Sequence, residues 1–70
     1  IDTPLSERET EILRLICQQK TSQEISKILR ISQRTVENHR LRISKKTGAK
    51  TSIGLLIYAM KNGLTDIESL

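Results

Sequence analysis

Aromatic residues are almost absent from this chain of 70 residues, in which Tyr58 is the only one. RNA-binding sheets stack bases on several aromatic side chains, so this chain is not expected to be one. The single cysteine, Cys17, cannot form an internal disulfide or complete a zinc site, and we interpret it as a small core residue. The fold must therefore be stabilised by side-chain packing.

Long apolar runs and phosphate-binding glycine loops are also missing from the sequence. No apolar run approaches the length of about 18 residues that a membrane-spanning helix needs, and no signal peptide is recognisable. The only histidine, His39, has no cluster of partner residues for metal binding or catalysis. We therefore expect no cofactor, no metal, no membrane partner and no enzymatic activity.

The positive charge is concentrated in one part of the chain. The formal net charge is +4, yet residues 30–50 carry seven basic residues against Glu37 alone, which gives +6. Residues 1–29 and 51–70 each sum to −1. Such a segment is either a solvated helix face or a surface that attracts polyanions, and charge alone does not distinguish the two.

Two capping boxes predict the first two helices. Ser6 and Glu9 can satisfy each other's backbone amides, and an apolar stripe follows, so helix 1 is predicted over about 7–18. Thr21 and Glu24 repeat the pattern before a short helix 2, over about 22–29. The apolar residues predicted to face the core are, in helix 1, Ile12, Leu13, Ile16 and Cys17 and, in helix 2, Ile25, Ile28 and Leu29.

Two further helices follow in the second half of the chain. Ser32 is the predicted cap of helix 3, over about 33–47, and Gly48 suits the left-handed position that ends a helix. Thr51 or Ser52 can cap helix 4, over about 52–62. No segment alternates with the period of a strand. The sequence thus predicts an all-α, four-helix, bundle-like single domain over 1–70, with its core in 5–64.

Helices 2 and 3, joined by a tight turn, have the lengths of a helix-turn-helix, whose second helix enters the DNA major groove. On helix 3, the side of Val36 and Ile43 is predicted to face the core. The opposite side carries hydrogen-bonding groups, cations and one leucine. These outward residues are Arg34, Glu37, Asn38, Leu41 and Lys45.

Each outward residue has a plausible role on DNA. Asn38 can pair with adenine, Glu37 can accept from the cytosine amino group, and Leu41 can touch a thymine methyl. Arg34 can read guanine or hold a phosphate. Further candidates for phosphate binding, at helix starts and in the basic segment, are Thr21, Ser22, Gln23, Ser32, Thr35, Lys45, Lys46 and Lys50.

Matching elements recur through all four helices and resemble the LuxR/FixJ/NarL-type DNA-binding domain. They include Leu5-Ser6-Glu7-Arg8-Glu9, Glu11-Ile12-Leu13, Glu24-Ile25, Ile31-Ser32, Thr35-Val36, His39, Ile43, Lys46 and Gly63-Leu64. The resemblance implies transcription regulation in the bacterial cytoplasm, with double-stranded DNA as partner. It also implies that this chain is the C-terminal part of a longer regulator, such as a two-component response regulator; RNA polymerase is a further candidate partner.

The same resemblance places base contacts at Glu37, Asn38 and Leu41. Many members have a basic residue where this chain has Glu37, so the base preference is expected to differ. Many have glycine where this chain has Gln19 and Arg30, so those turns need either a different solution here or some backbone strain.

Helix 4 contains more apolar residues than one buried stripe needs. Leu55, Leu56, Ala59 and Met60 are predicted to face the core. The outward residues are then Ile53, Ile57 and Tyr58, with Gly54 allowing a close approach, and the resemblance implies that this helix forms a homodimer on DNA. Two alternatives stay open at this point: a promoter-binding domain like region 4 of a sigma factor, and a helical protein-interaction module that uses helix 4.

Overall fold

The computed structural model describes residues 5–64 and contains four α-helices in that range. They are α1 (Glu7–Cys17), α2 (Ser22–Leu29), α3 (Gln33–Thr47) and α4 (Ser52–Lys61). The predicted all-α fold is confirmed, and each predicted helix end lies within one residue of the observed one. Residues 65–70, for which the sequence predicts no element, lie outside the described range.

Side-chain caps begin all four helices. In α1 the Ser6 hydroxyl accepts from the Glu9 amide at 3.1 Å, and the Glu9 carboxylate accepts from the Ser6 amide at 2.9 Å. Thr21 and Glu24 form the same reciprocal pair at the start of α2. Ser32 caps α3, and Thr51, rather than Ser52, caps α4. The two predicted capping boxes are therefore confirmed, and each satisfies two backbone amides that a helix start would otherwise leave free.

The core lies between α1 and its neighbours. The helix α1 packs against both α3 and α4, while α2 packs chiefly against α3. The buried apolar residues are Ile12, Leu13, Ile16, Cys17, Ile25, Val36, Ile43, Leu55 and Ala59. Burial also raises the pKa of the Cys17 thiol, which keeps it protonated and apolar, as expected of a core residue.

Three apolar positions differ from their predicted orientation. Met60 is 40% exposed, although it was predicted to face the core, and Tyr58 is half-buried against the core, although it was predicted to face outward. The prediction for Ile28 was also wrong, because this side chain is 52% exposed. The helix α2 has only eight residues and packs chiefly against one neighbour, so one deeply buried side chain, Ile25, is enough for that contact.

The chain after α4 returns to α1. Gly63 adopts a left-handed conformation, with φ 69°, and turns the chain. The Arg14 Nε then donates a hydrogen bond to the Leu64 carbonyl oxygen at 3.0 Å, across 50 positions of sequence. Arg14 also lines a shallow cleft of about 300 Å³ on the exposed side of α1, together with Leu5, Glu7, Thr10 and Glu11. The two ends of the described chain therefore meet at α1.

Two turns contain left-handed residues that are not glycine. Gln19, after α1, has φ 64°, and Arg30, in the turn between α2 and α3, has φ 58°. A side chain with a Cβ is disfavoured in this conformation by roughly 1 kcal/mol or more. Gly48, which ends α3 with φ 76°, avoids that cost. The packing of α2 and α3 thus holds Arg30, in the turn between them, in a backbone conformation that this residue disfavours.

Replacing Arg30 by glycine is expected to stabilise the domain by about 0.5–1 kcal/mol, because glycine removes the left-handed strain but adds freedom to the unfolded chain. Urea unfolding followed by circular dichroism measures the change. The matched control is Lys27→Gly in the last turn of α2, where the backbone is helical, and it should lower stability by about 0.5–1 kcal/mol. A loss of stability in Arg30→Gly would show that the arginine side chain contributes more than its strain costs.

Candidate nucleic-acid interface

The side of α3 that faces away from the protein body carries the predicted reading residues. Val36 and Ile43 are fully buried on the inner side of the helix. Positions four, three and four residues apart form one outer stripe along a helix of this pitch. Its members, all exposed, are Arg34, Asn38, Leu41 and Lys45, with the exposed Glu37 beside them. The structure thus brings the five predicted outward residues onto one open face.

Caps at the starts of α2 and α3 border this face. The Ser32 hydroxyl accepts from the Thr35 amide at 3.0 Å and lies 2.8 Å from the Thr35 hydroxyl. The Thr21 hydroxyl accepts from the Glu24 amide, which leaves its own hydrogen available to a ligand. Gln23 is exposed and Ser22 is half-buried in the first turn of α2, where backbone amides have no partner within the helix. These groups have the polarity that phosphate oxygens need.

Lys46 is paired with a buried carboxylate inside the fold. Its Nζ lies 2.7 Å from the Glu9 Oε1, which joins the last turn of α3 to the first turn of α1. Glu9 is only 3% exposed. The predicted contact between Lys46 and a phosphate stays a prediction, but the charge of this lysine is already neutralised by Glu9. Lys45 and Lys50 are exposed.

The pairing with Lys46 changes the pKa of the Glu9 carboxyl. The hydrogen bond from Lys46 lowers the pKa of Glu9 below its ordinary value of 4.5, and the backbone amide of Ser6 adds to the effect, while burial opposes it. A carboxylate whose pKa is lower in the folded state stabilises the fold above its unfolded pKa. That stabilisation is lost as the pH falls through the lower, folded pKa.

Two clefts flank α3 near the starts of α2 and α4. One cleft of about 390 Å³ lies against the start of α4 and is lined by Arg40, Leu41, Lys50, Thr51 and Ser52, among others. The other, of about 320 Å³, lies against the start of α2 and is lined by Gln19, Lys20, Thr21, Ser22 and Arg40, among others. Neither Lys20 nor Arg40 was among the residues predicted from the sequence to contact DNA. Arg40 lies beside the predicted inner face of α3, and its charge was the only signal that it reaches solvent.

The exposed side of α4 is apolar. Ile53, Ile57 and Met60 are spaced four and three residues apart and are all exposed, so they form one stripe. Of the other two residues predicted for a dimer contact, Tyr58 packs against the core, and Gly54 packs closely within its own chain. A Cβ at Gly54 would lie 3.2 Å from the Ala49 Cβ, so glycine at this position already has a reason within the fold.

The described range contains neither a candidate metal site nor a candidate membrane-spanning helix. Among residues 5–64, no group of three or more histidine, cysteine, aspartate or glutamate side chains is arranged to hold a metal ion. No helix in that part of the chain combines the length and the apolar character that are needed to cross a membrane.

Comparison with known proteins identifies the family. The family described as "Bacterial regulatory proteins, luxR family" matches residues 3–59, and the chain belongs to it. It is a LuxR-type helix-turn-helix DNA-binding domain. The predicted resemblance is thereby confirmed, and the family match favours it over the sigma-factor and protein-interaction alternatives.

Individual relatives are longer than this chain. It is 44% identical over 66 residues to the "Uncharacterized response regulatory protein YgeK" of Escherichia coli. That match covers 94% of this chain and 45% of that protein. It is 41% identical over 61 residues to the "Transcriptional regulatory protein MctR" of Rhizobium johnstonii, which covers 87% of this chain and 28% of that protein. The chain thus spans less than half the length of these two relatives.

One solved structure is similar to this chain in both fold and sequence. The crystal structure of the Vibrio cholera VqmA–ligand–DNA complex superposes with a TM-score of 0.79 at 31% identity. The match covers 91% of this chain and 28% of that chain.

Removing the lysine of the internal ion pair is expected to destabilise the fold. Lys46→Met should lower the free energy of unfolding by about 2–3 kcal/mol at neutral pH, because the buried Glu9 carboxylate loses its charged partner. The loss should shrink as the pH falls and Glu9 becomes protonated, because a neutral carboxyl no longer needs a charged partner. Urea unfolding at several pH values measures both effects. Lys45→Met, at an exposed neighbour, is the control, and a loss for Lys46→Met that does not change with pH would contradict the prediction.

Proposed function

We propose that this domain regulates transcription by inserting α3 into the major groove of double-stranded DNA and reading its base edges. The observation that carries the proposal is the open stripe of polar and basic side chains on α3, on the side away from the core. The VqmA structure, whose fold is similar, is a complex with DNA, which supports DNA binding by this domain. The bacterial sources of the relatives support a role in the bacterial cytoplasm.

Base reading is assigned to the exposed residues Arg34, Glu37, Asn38 and Leu41. An asparagine amide can both donate to and accept from adenine, a carboxylate can accept from cytosine, and a leucine can contact the thymine methyl. Arg34, near the start of the helix, can reach guanine or a phosphate. Because these four groups prefer different base edges, the stripe favours a mixed target sequence.

Phosphate binding is assigned to the groups around this stripe. Lys45 and Lys50 contribute exposed charges, and the first turns of α2 and α3 contribute free amides and hydroxyls. The residues concerned are Thr21, Ser22, Gln23, Ser32, Thr35, Lys45, Lys46 and Lys50. We expect Lys46 to contribute least, because Glu9 already neutralises its charge.

Two substitutions separate reading from phosphate binding. Asn38→Ala should cost about 1–3 kcal/mol on the preferred duplex and relax the preference at one base pair, because the bidentate contact is lost. Lys45→Ala should weaken binding to all duplexes alike and reduce the slope of log affinity against log salt by about 0.9. Titrations of a preferred and a random duplex at several salt concentrations measure both.

Lys61→Ala serves as the control for these titrations, because Lys61 is an exposed cation at the end of α4, outside the basic segment. It should leave the salt slope unchanged. If Asn38→Ala weakened the preferred and random duplexes equally, Asn38 would not be a reading residue.

We further propose that two copies of the domain associate through α4 when bound to DNA. The exposed apolar stripe of Ile53, Ile57 and Met60 supports this, because apolar stripes that remain open to water are typical of interfaces. Gly54 and Tyr58 are adjacent in sequence to stripe residues and would lie at its margins. Such a pair would place two α3 helices on a two-fold symmetric site. Contact with RNA polymerase stays a prediction.

A charge placed in this stripe is expected to prevent association. Ile57→Glu should weaken cooperative binding to a duplex with two half-sites by about tenfold, because a carboxylate would be buried in an apolar contact. Binding to one half-site and to two half-sites is compared by gel shift. The matched control is Ile28→Glu, which makes the same change at an isoleucine of similar exposure, 52% against 47%, on α2. Equal cooperativity in the two variants would rule out α4 as the contact.

A further inference from the structure

Glu37 is the only acidic side chain in the basic segment and stands on the face that would meet DNA. Phosphates repel a carboxylate, so an acid at this position weakens binding unless a cation accompanies it. Arg40, one turn further along α3, supplies that cation. Its Nε lies 3.9 Å from the Glu37 Oε1.

Glu37 and Arg40 share a turn of α3, and they also border the same two clefts. Both line the cleft against the start of α4, and both line the cleft against the start of α2. Together with Ser52, which also lines both clefts, the Glu37–Arg40 pair lies between them. The Arg40 side chain is 29% exposed and that of Glu37 56% exposed, so the arginine is the more enclosed partner.

The length of the ion pair leaves room for it to tighten. Charge-assisted hydrogen bonds between nitrogen and a carboxylate oxygen are about 2.7–2.9 Å long, and the separation here is longer. In the groove of a bound duplex, water is displaced and a close ion pair is screened less by salt. The guanidinium can then hold one carboxylate oxygen by hydrogen bonding while the other faces a base.

We propose that Arg40 is a positioning residue that neutralises Glu37 and orients its carboxylate toward the amino group of a cytosine. The inference rests on the proposed function, in which Glu37 reads a base. It assigns to Arg40 a contribution to base preference that acts through another side chain. A plain phosphate-binding cation at this position would instead strengthen binding to every sequence alike.

The test uses the 70-residue chain and duplexes selected by it from a random pool. The C·G pair that Glu37 reads is the one whose replacement weakens binding of the parent chain but not of Glu37→Ala, which has no side-chain acceptor. The preference at that pair is then measured for each arginine variant by titration. Arg40→Met should reduce that preference about tenfold, as Glu37→Ala does, because one base contact contributes on this scale. Glu37→Ala combined with Arg40→Met should lose no more than either change alone.

Two further variants separate positioning from charge and from folding. Arg40→Lys should retain most of the preference, because it keeps the cation. Arg42→Met removes an equal charge from an exposed position of the same helix and should weaken binding to all sequences with the preference unchanged. Thermal unfolding by circular dichroism verifies that each variant is folded before its preference is compared.

The outcomes distinguish this inference from the proposed function. If Glu37→Ala alone removes the preference and Arg40→Met behaves like Arg42→Met, Arg40 is an ordinary cation and the positioning role is wrong. If Glu37→Ala leaves every base preference intact, the reading role of Glu37 and the positioning role of Arg40 are both overturned. The proposal is supported if Glu37→Ala and Arg40→Met each reduce the preference at the C·G pair and the double variant reduces it no further.

Discussion

The hydrogen bond that the Glu9 carboxylate accepts from Lys46 joins the first turn of α1 to the last turn of α3. The same carboxylate oxygen accepts from the Ser6 amide, so one group both begins α1 and fixes the end of α3 against it. The angle between these helices decides where the outer face of α3 stands. In a small domain with a thin core, a partly buried ion pair of this kind favours one packing arrangement, and its removal leaves a buried charge.

Local patterns were enough to predict the helices, because their causes are local. The capping boxes of Ser6 and Thr21, and the glycine after α3, act within a few residues of the helix ends that they define. The inner and outer sides of α3 were also predictable, since helix pitch alone separates Val36 from Asn38. The strain at Arg30 follows from the departure from glycine noted in the sequence.

Long-range features were not predictable in the same way. Lys46 looks like any other member of a basic segment until the fold places Glu9, 37 positions away in sequence, beside it. Met60 and Tyr58 belong to a helix with apolar residues on several sides, so periodicity does not determine which stripe is buried. Arg40 lies near the inner side of α3, and only the positions of α2 and α4 leave open clefts on either side of it.

The return of the chain from α4 to α1 has a consequence for how this domain can be connected. Arg14, on the exposed side of α1, lines one cleft with Leu5 and binds the Leu64 carbonyl, whereas α1 contacts α3 through its opposite, buried side. Leu5 and Leu64, at the two limits of the described range, therefore lie on the side of α1 that faces away from α3. A domain of this arrangement can be joined to very different larger chains. An artificial fusion at either end should leave the outer face of α3 accessible.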